Sequence, residues 1–171
     1  DKDSTTDAFD WWKAMKKNGA IFTSGWSEAY EVHYTGGYGE YTVGHIGDAH
    51  LTVSYCHSPG VEAYYSSNWT HSTSLNLPRS SFHQIEYTGI INGAANVIGA
   101  ELFIEYLLSE EINSKMPENN LMYSVIEGYE LPEKDGFRYH SDIANQPVDT
   151  PISTVNSKME SWLENWQSST Q

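Results

Sequence analysis

From Ala94 to about Asn113 the chain carries Val97, Ile98, Leu102, Phe103, Ile104, Tyr106, Leu107 and Leu108. These apolar side chains cover most of the circumference of a helix. A helix that is apolar nearly all round belongs inside protein, so this segment is expected to be a well-buried helix around which the rest must be arranged. At 171 residues the chain is long enough to form one compact domain with a hydrophobic core. Six Trp, twelve Tyr and five Phe argue against disorder, because disordered chains are poor in aromatics.

Around that helix, helical and strand-like patterns alternate. Asp7 to Asn18 reads as a helix with Phe9, Trp12, Ala14, Met15 and Ala20 as an approximate stripe, Lys16 and Lys17 at its negative end and Gly19 as its stop. Ala20–Thr23 reads as a short strand. A second helix is expected from Ser27, as N-cap, through Ala29, Tyr30 and His33 to Gly36-Gly37. Tyr38–His50 reads as a loop or irregular hairpin. Leu51–Tyr55 alternates and predicts a strand, and Ser58-Pro59 predicts a helix start leading to Tyr65. Phe82–Ile91 predicts another strand, Leu121–Val125 a short extended segment, and 127–150 a loop. Thr150-Pro151 opens a last helix whose Val155, Met159, Trp162, Leu163 and Trp166 share one face, which places Trp162 and Trp166 in the core. Helices and strands joined by short connections predict an α/β arrangement.

The balance of 23 acidic against 9 basic residues, a formal net charge of −14, repels phosphate backbones and excludes nucleic acid as a partner. It suits a cationic ligand or solubility alone. Cys56 is the single cysteine, so no internal disulfide forms. The seven histidines do not fall at metal-ligand spacing, and no metal site or cofactor is expected. No stretch reaches the ~20 apolar residues that span a bilayer. The chain opens on Asp1 with no signal peptide and reads as a processed protein or a fragment.

Hydrolase signatures are missing: there is no nucleophile elbow, no phosphate-cradling glycine loop and no His-Glu-x-x-His. Cys56 and His57 are sequence neighbours, which on a strand would face opposite ways. A thiol-dependent enzyme is therefore the lesser expectation, and a module with no ligand is the third. The positive signals are aromatic. Trp26 and Tyr55 sit at element ends, and an aromatic face attracts a cation by roughly 0.5–2 kcal/mol. A helix start such as Ser58-Pro59 can receive a phosphate on its free N–H groups.

Three runs, Gly25-Trp26-Ser27-Glu28-Ala29-Tyr30, Val53-Ser54-Tyr55-Cys56-His57-Ser58-Pro59 and Met116-Pro117 with Met122-Tyr123-Ser124-Val125, resemble in order the motifs of thiamine ABC-transporter substrate-binding proteins. Ser161-Trp162-x-x-x-Trp166 resembles that family's final helix. The resemblance implies the C-terminal portion of a type-two periplasmic-binding fold, with residues 1–78 in the second lobe and 79–171 in the first. It implies a non-enzymatic, extracytoplasmic protein that delivers thiamine or a thiamine phosphate to a membrane permease. By position it assigns Trp26 and Tyr55 to the ligand pocket, with Ser27, Ser54 and Ser58 as polar contacts. An aromatic of some members falls near Val61 here, where Tyr64 or Tyr65 can substitute, and a Trp of some members is Leu121. A chain without the N-terminal half of such a fold is expected to pair with a second copy of itself.

Overall fold

The computed structural model describes residues 5–171. The regular structure is helical, and no strand or bridge occurs among the described residues. The expected α/β arrangement is corrected by this, and with it the type-two periplasmic-binding fold. The segments read as strands, 20–23, 51–55 and 82–91, carry no ladder. Their alternation is a local property, whereas a strand exists only when a second segment supplies its hydrogen bonds. Val53 is 80% exposed and Tyr87 is 87% exposed, so neither segment buries the apolar side it presents.

The chain forms two compact units that interleave along the sequence. The first takes the described residues through Ser54, with Asn76–Phe82 and Ala144–Gln171. Its helix α1, Ala8–Lys17, begins where the Asp7 carboxylate accepts hydrogen bonds from the Phe9 N–H at 2.9 Å and the Asp10 N–H at 3.4 Å. It ends before Gly19, whose φ of +89° favours glycine. The long helix α7, Ile152–Thr170, follows Pro151 and packs against α1. Between them Trp12 meets Phe22 edge-on at 5.7 Å, and Phe22 meets Trp166 at 6.2 Å. The Lys16 ammonium donates to the Gln171 carbonyl oxygen. Trp162 and Trp166, expected in the core, each stay more than a third exposed, and Trp166 lies at the α1–α7 seam through Phe22. The Val148 N–H donates to the Ser81 carbonyl at 2.7 Å and the Arg79 N–H to the Gln146 carbonyl at 2.8 Å, which joins the unit's distant segments.

The second unit comprises Tyr55–Leu75 and His83–Ile143. Its centre is α2, Ser58–Tyr65, with its first six residues buried. Over it lies α6, Phe137–His140, which starts from a tight turn with positive φ at Asp135 and Gly136. Phe137 is fully buried against Tyr64, ring to ring at 5.5 Å. Gly60 allows this approach, because a Cβ there would collide with the Phe137 carbonyl oxygen and Ser141 Oγ. A helix of four residues leaves no periodic pattern, so α6 lies inside the stretch expected to be loop.

The apolar segment after Ala94 does form helix, as α3, Val97–Leu108, capped by Asn96, whose side chain accepts from the Gly99 N–H at 2.9 Å. Ser109, at φ −65° and ψ 150°, breaks it from α4, Glu110–Asn113. Pro117 sits in the first turn of α5, Met116–Asn120. The buried Asn113 ties these pieces together. Its Oδ1 accepts from Ser124 Oγ at 2.6 Å and the Val125 N–H at 3.0 Å, and its Nδ2 donates to the Leu107 carbonyl at 3.1 Å. The expected deep burial of α3 is corrected: no residue of this helix is buried.

Candidate functional site: an aromatic platform at Trp26

Trp26 precedes a seven-residue π-helix, Glu28–Tyr34. In such a turn the hydrogen bond spans five residues, as the Thr35 N–H does in donating to the Tyr30 carbonyl at 2.8 Å. π-Helical turns are uncommon and frequent at functional sites. Ser24 and Glu28 form the clasp that sets its entry. The Ser24 N–H and hydroxyl donate to the Glu28 carboxylate at 3.0 and 2.9 Å, and these bonds, the backbone one foremost, hold that carboxyl below its ordinary range. Ser27, expected to cap this helix, has helical dihedrals (φ −58°, ψ −41°) and makes no side-chain capping bond.

The Trp26 indole lies parallel to the Tyr30 ring, with centroids 4.9 Å apart and planes 13° apart. Tyr30 is buried and leans on Tyr34 at 5.4 Å. The indole N–H donates to Ser54 Oγ at 2.8 Å. Stacking and this hydrogen bond fix the ring plane, while 36% of the residue stays exposed. A flat apolar face held in place near water can take a planar or cationic ligand without reorganising. Beyond the π-helix, the Gly-rich loop folds back on its end. Gly47 N–H donates to the Tyr34 carbonyl at 2.9 Å, the Ala49 N–H to the His33 carbonyl at 2.8 Å, and His33 Nδ1 pairs with Asp48 at 2.8 Å. Gly36 and Gly47 stand so close to neighbouring backbone that a Cβ would not fit.

Of the residues assigned by sequence, the structure brings Trp26 and Ser54 into contact, with Ser27 adjacent in the chain. Tyr55, Ser58 and Tyr64 fall in the other compact unit. Tyr55 is 42% exposed and lies 5.7 Å from the His57 ring. Ser58 is the first residue of α2 rather than its cap, which is His57, and it is buried with Pro59 and Gly60. The first turn of α2 therefore faces protein. Tyr64 packs on Phe137 and receives the Lys134 ammonium 5.0 Å above its ring centre. Tyr30 and Tyr34 were not singled out by sequence, although their spacing of four after Trp26 is the signal for a shared face.

Beside Cys56 is a second aromatic cluster. Tyr123 meets the His57 ring edge-on at 5.4 Å, and its hydroxyl donates to the Asp142 carbonyl at 2.7 Å. Burial, with the Cys56 and Asp142 charges adding to it, pushes the Tyr123 phenol far above its ordinary range. Burial also holds the His57 imidazole below its ordinary range, opposed by a backbone hydrogen bond at Leu121. His57 is thus neutral when folded and binds a proton more readily when unfolded. Its contribution is complete above the unfolded value of about 6.5 and is lost as pH falls from there through the lower folded value. The urea midpoint is expected to fall between pH 7.5 and 5.5, and to fall less in His57→Gln. An equal fall in both proteins would remove His57 as the cause.

No group of three or more His, Cys, Asp or Glu side chains suited to a metal occurs among the described residues. No described helix is long and apolar enough to cross a membrane. Comparison with known proteins gives no match: no family model, no curated protein and no solved structure is significantly similar to this chain.

Proposed function

We propose that this chain binds a flat heterocyclic cation, thiamine or a thiamine phosphate, on the Trp26 ring, as the extracytoplasmic solute-binding component of a membrane importer. The supporting observation is the Trp26 platform: an indole stacked on buried Tyr30, pinned through its N–H to Ser54 and still 36% exposed. Thiamine carries a permanent thiazolium charge beside an aromatic pyrimidine, so both stacking and cation–π attraction apply. The net charge of −14 favours approach of a cation. The three sequence runs that resemble thiamine-binding proteins include both Trp26 and Ser54. A module without a ligand would have Trp26 closed in a core, and its exposure favours binding instead.

Titration calorimetry with thiamine, thiamine monophosphate and thiamine diphosphate tests this. Trp26→Ala is expected to weaken binding by about 2 kcal/mol, the upper range of a desolvated cation–π contact. Ser54→Ala, which frees the indole without removing it, is expected to weaken binding less. The absence of binding heat with all three compounds would reject the assignment.

A further inference from the structure

We infer that Asn92 is a site of self-modification: it deamidates through a cyclic imide formed with Gly93, while the fold protects the chemically equivalent pair Asn18-Gly19. An Asn followed by Gly is prone to this chemistry, because glycine has no Cβ to obstruct approach of its nitrogen to the carboxamide. The chain holds two such pairs, and each is followed by Ala. In the reaction the Gly93 nitrogen, having lost its proton to water, attacks Asn92 Cγ. An N–Cγ bond forms, the Cγ–Nδ2 bond breaks, and ammonia leaves with a proton. Water then opens the imide at either carbonyl and leaves aspartate or isoaspartate at position 92. The product carries a new negative charge. As isoaspartate it also adds a main-chain carbon to the link between the 82–91 segment and α3.

Both pairs are exposed and the space beside both glycines is open, so access of water does not separate them. Their backbone bonds do. Asn18 caps the C-terminus of α1. The Gly19 N–H donates to the Lys16 carbonyl at 3.0 Å and the Ala20 N–H to the Met15 carbonyl at 3.0 Å. This is the paired closure of a Schellman motif, with Gly19 at φ +89°. Ring closure must turn the peptide that joins the two residues, so at Asn18 it breaks both bonds and takes the attacking nitrogen from its acceptor. Asn92 and Gly93 instead occupy the centre of an exposed turn, closed by the Ala94 N–H donating to the Ile91 carbonyl at 3.0 Å. Gly93 has φ +81° and Asn92 a negative φ, the pattern of a type II turn. Neither the Asn92 carboxamide nor the Gly93 N–H makes a hydrogen bond among the described residues. Closure there gives up the single bond of Ala94, and the nucleophile starts free.

The test is incubation of the whole chain in mildly alkaline heavy-oxygen water, with peptide mass mapping over time. Hydrolysis of the imide takes its oxygen from solvent, so each event labels its own position. In the folded chain, position 92 is expected to take up label at least about tenfold faster than position 18, the effect of the extra bonds broken there. In concentrated urea the two rates are expected to converge, because only the shared Asn-Gly-Ala sequence remains. Equal rates in the folded chain overturn the inference. A preference for position 92 that persists undiminished in urea also overturns it, by placing the cause in the sequence and not in the fold. Neither outcome depends on thiamine.

Discussion

Replacing Phe137 by alanine is expected to destabilise the second compact unit by about 3–5 kcal/mol, the cost of emptying a fully buried aromatic site. Phe137 is wholly shielded from solvent, and its ring packs on Tyr64. Its backbone carbonyl and ring also stand against Gly60, where the close contact leaves no side chain to move into the space. The cavity would therefore persist. The measurement is chemical denaturation followed by amide hydrogen exchange. Amides of α2 should lose protection, while those of α1 and α7, in the other unit, should keep theirs. An unchanged midpoint, or uniform loss across both units, would contradict the packing described.

The second large effect is expected at Glu62, an acidic residue only 1% exposed. Its carboxyl group accepts hydrogen bonds from Thr70 Oγ1 at 2.7 Å and Ser72 Oγ at 2.6 Å, and His71 Nδ1 stands 3.8 Å away. The Thr70 hydroxyl in turn accepts from the Ser72 N–H at 3.0 Å. One buried side chain on α2 thus organises the polar segment that follows the helix. Glu62→Ala strips both hydroxyls of their acceptor and is expected to cost about 3 kcal/mol, from partly buried donors left unsatisfied. Glu62→Gln keeps an acceptor oxygen in place and is expected to cost about 1 kcal/mol. Denaturant unfolding supplies the energies, and limited proteolysis reports whether the segment 66–75 opens in Glu62→Ala. Equal costs for the two variants would show that the second carboxylate oxygen and its charge, which both variants lose, hold the segment, and that the retained acceptor and packing contribute nothing.

The platform at Trp26 was only partly legible. The Gly25–Tyr30 run and the position of Trp26 just before a helix are visible in the sequence, and so is the candidate polar contact Ser54. The bond between them joins residues 28 apart, and nothing in composition or periodicity specifies it. The π-helical winding was not legible either, because its side chains read like those of any short helix. The packing of Tyr64 on Phe137 and the Lys134 ammonium over its ring were likewise not legible, because they join α2 to segments about 70 residues away in sequence.

What the sequence determined by itself is the set of longer helices and several of their boundaries. Asp7 begins α1, Gly19 follows its end, Pro151 precedes α7, and Pro59 lies in the first turn of α2. Each of these acts within about one helical turn, through a cap, a fixed φ or a permitted positive φ. Only the tertiary structure decided which apolar segments find partners. Leu51–Tyr55 and Phe82–Ile91 alternate as strands do, yet no described segment pairs with them. The apolar circumference of α3 predicts burial, yet its Ile98–Leu102–Tyr106 line remains exposed. Conversely Glu62, charged by type, lies inside because Thr70 and Ser72 fold back to meet it. Helix caps are settled by neighbours in the chain, whereas burial and strand pairing depend on a second surface that only the folded molecule, or its partner, can supply.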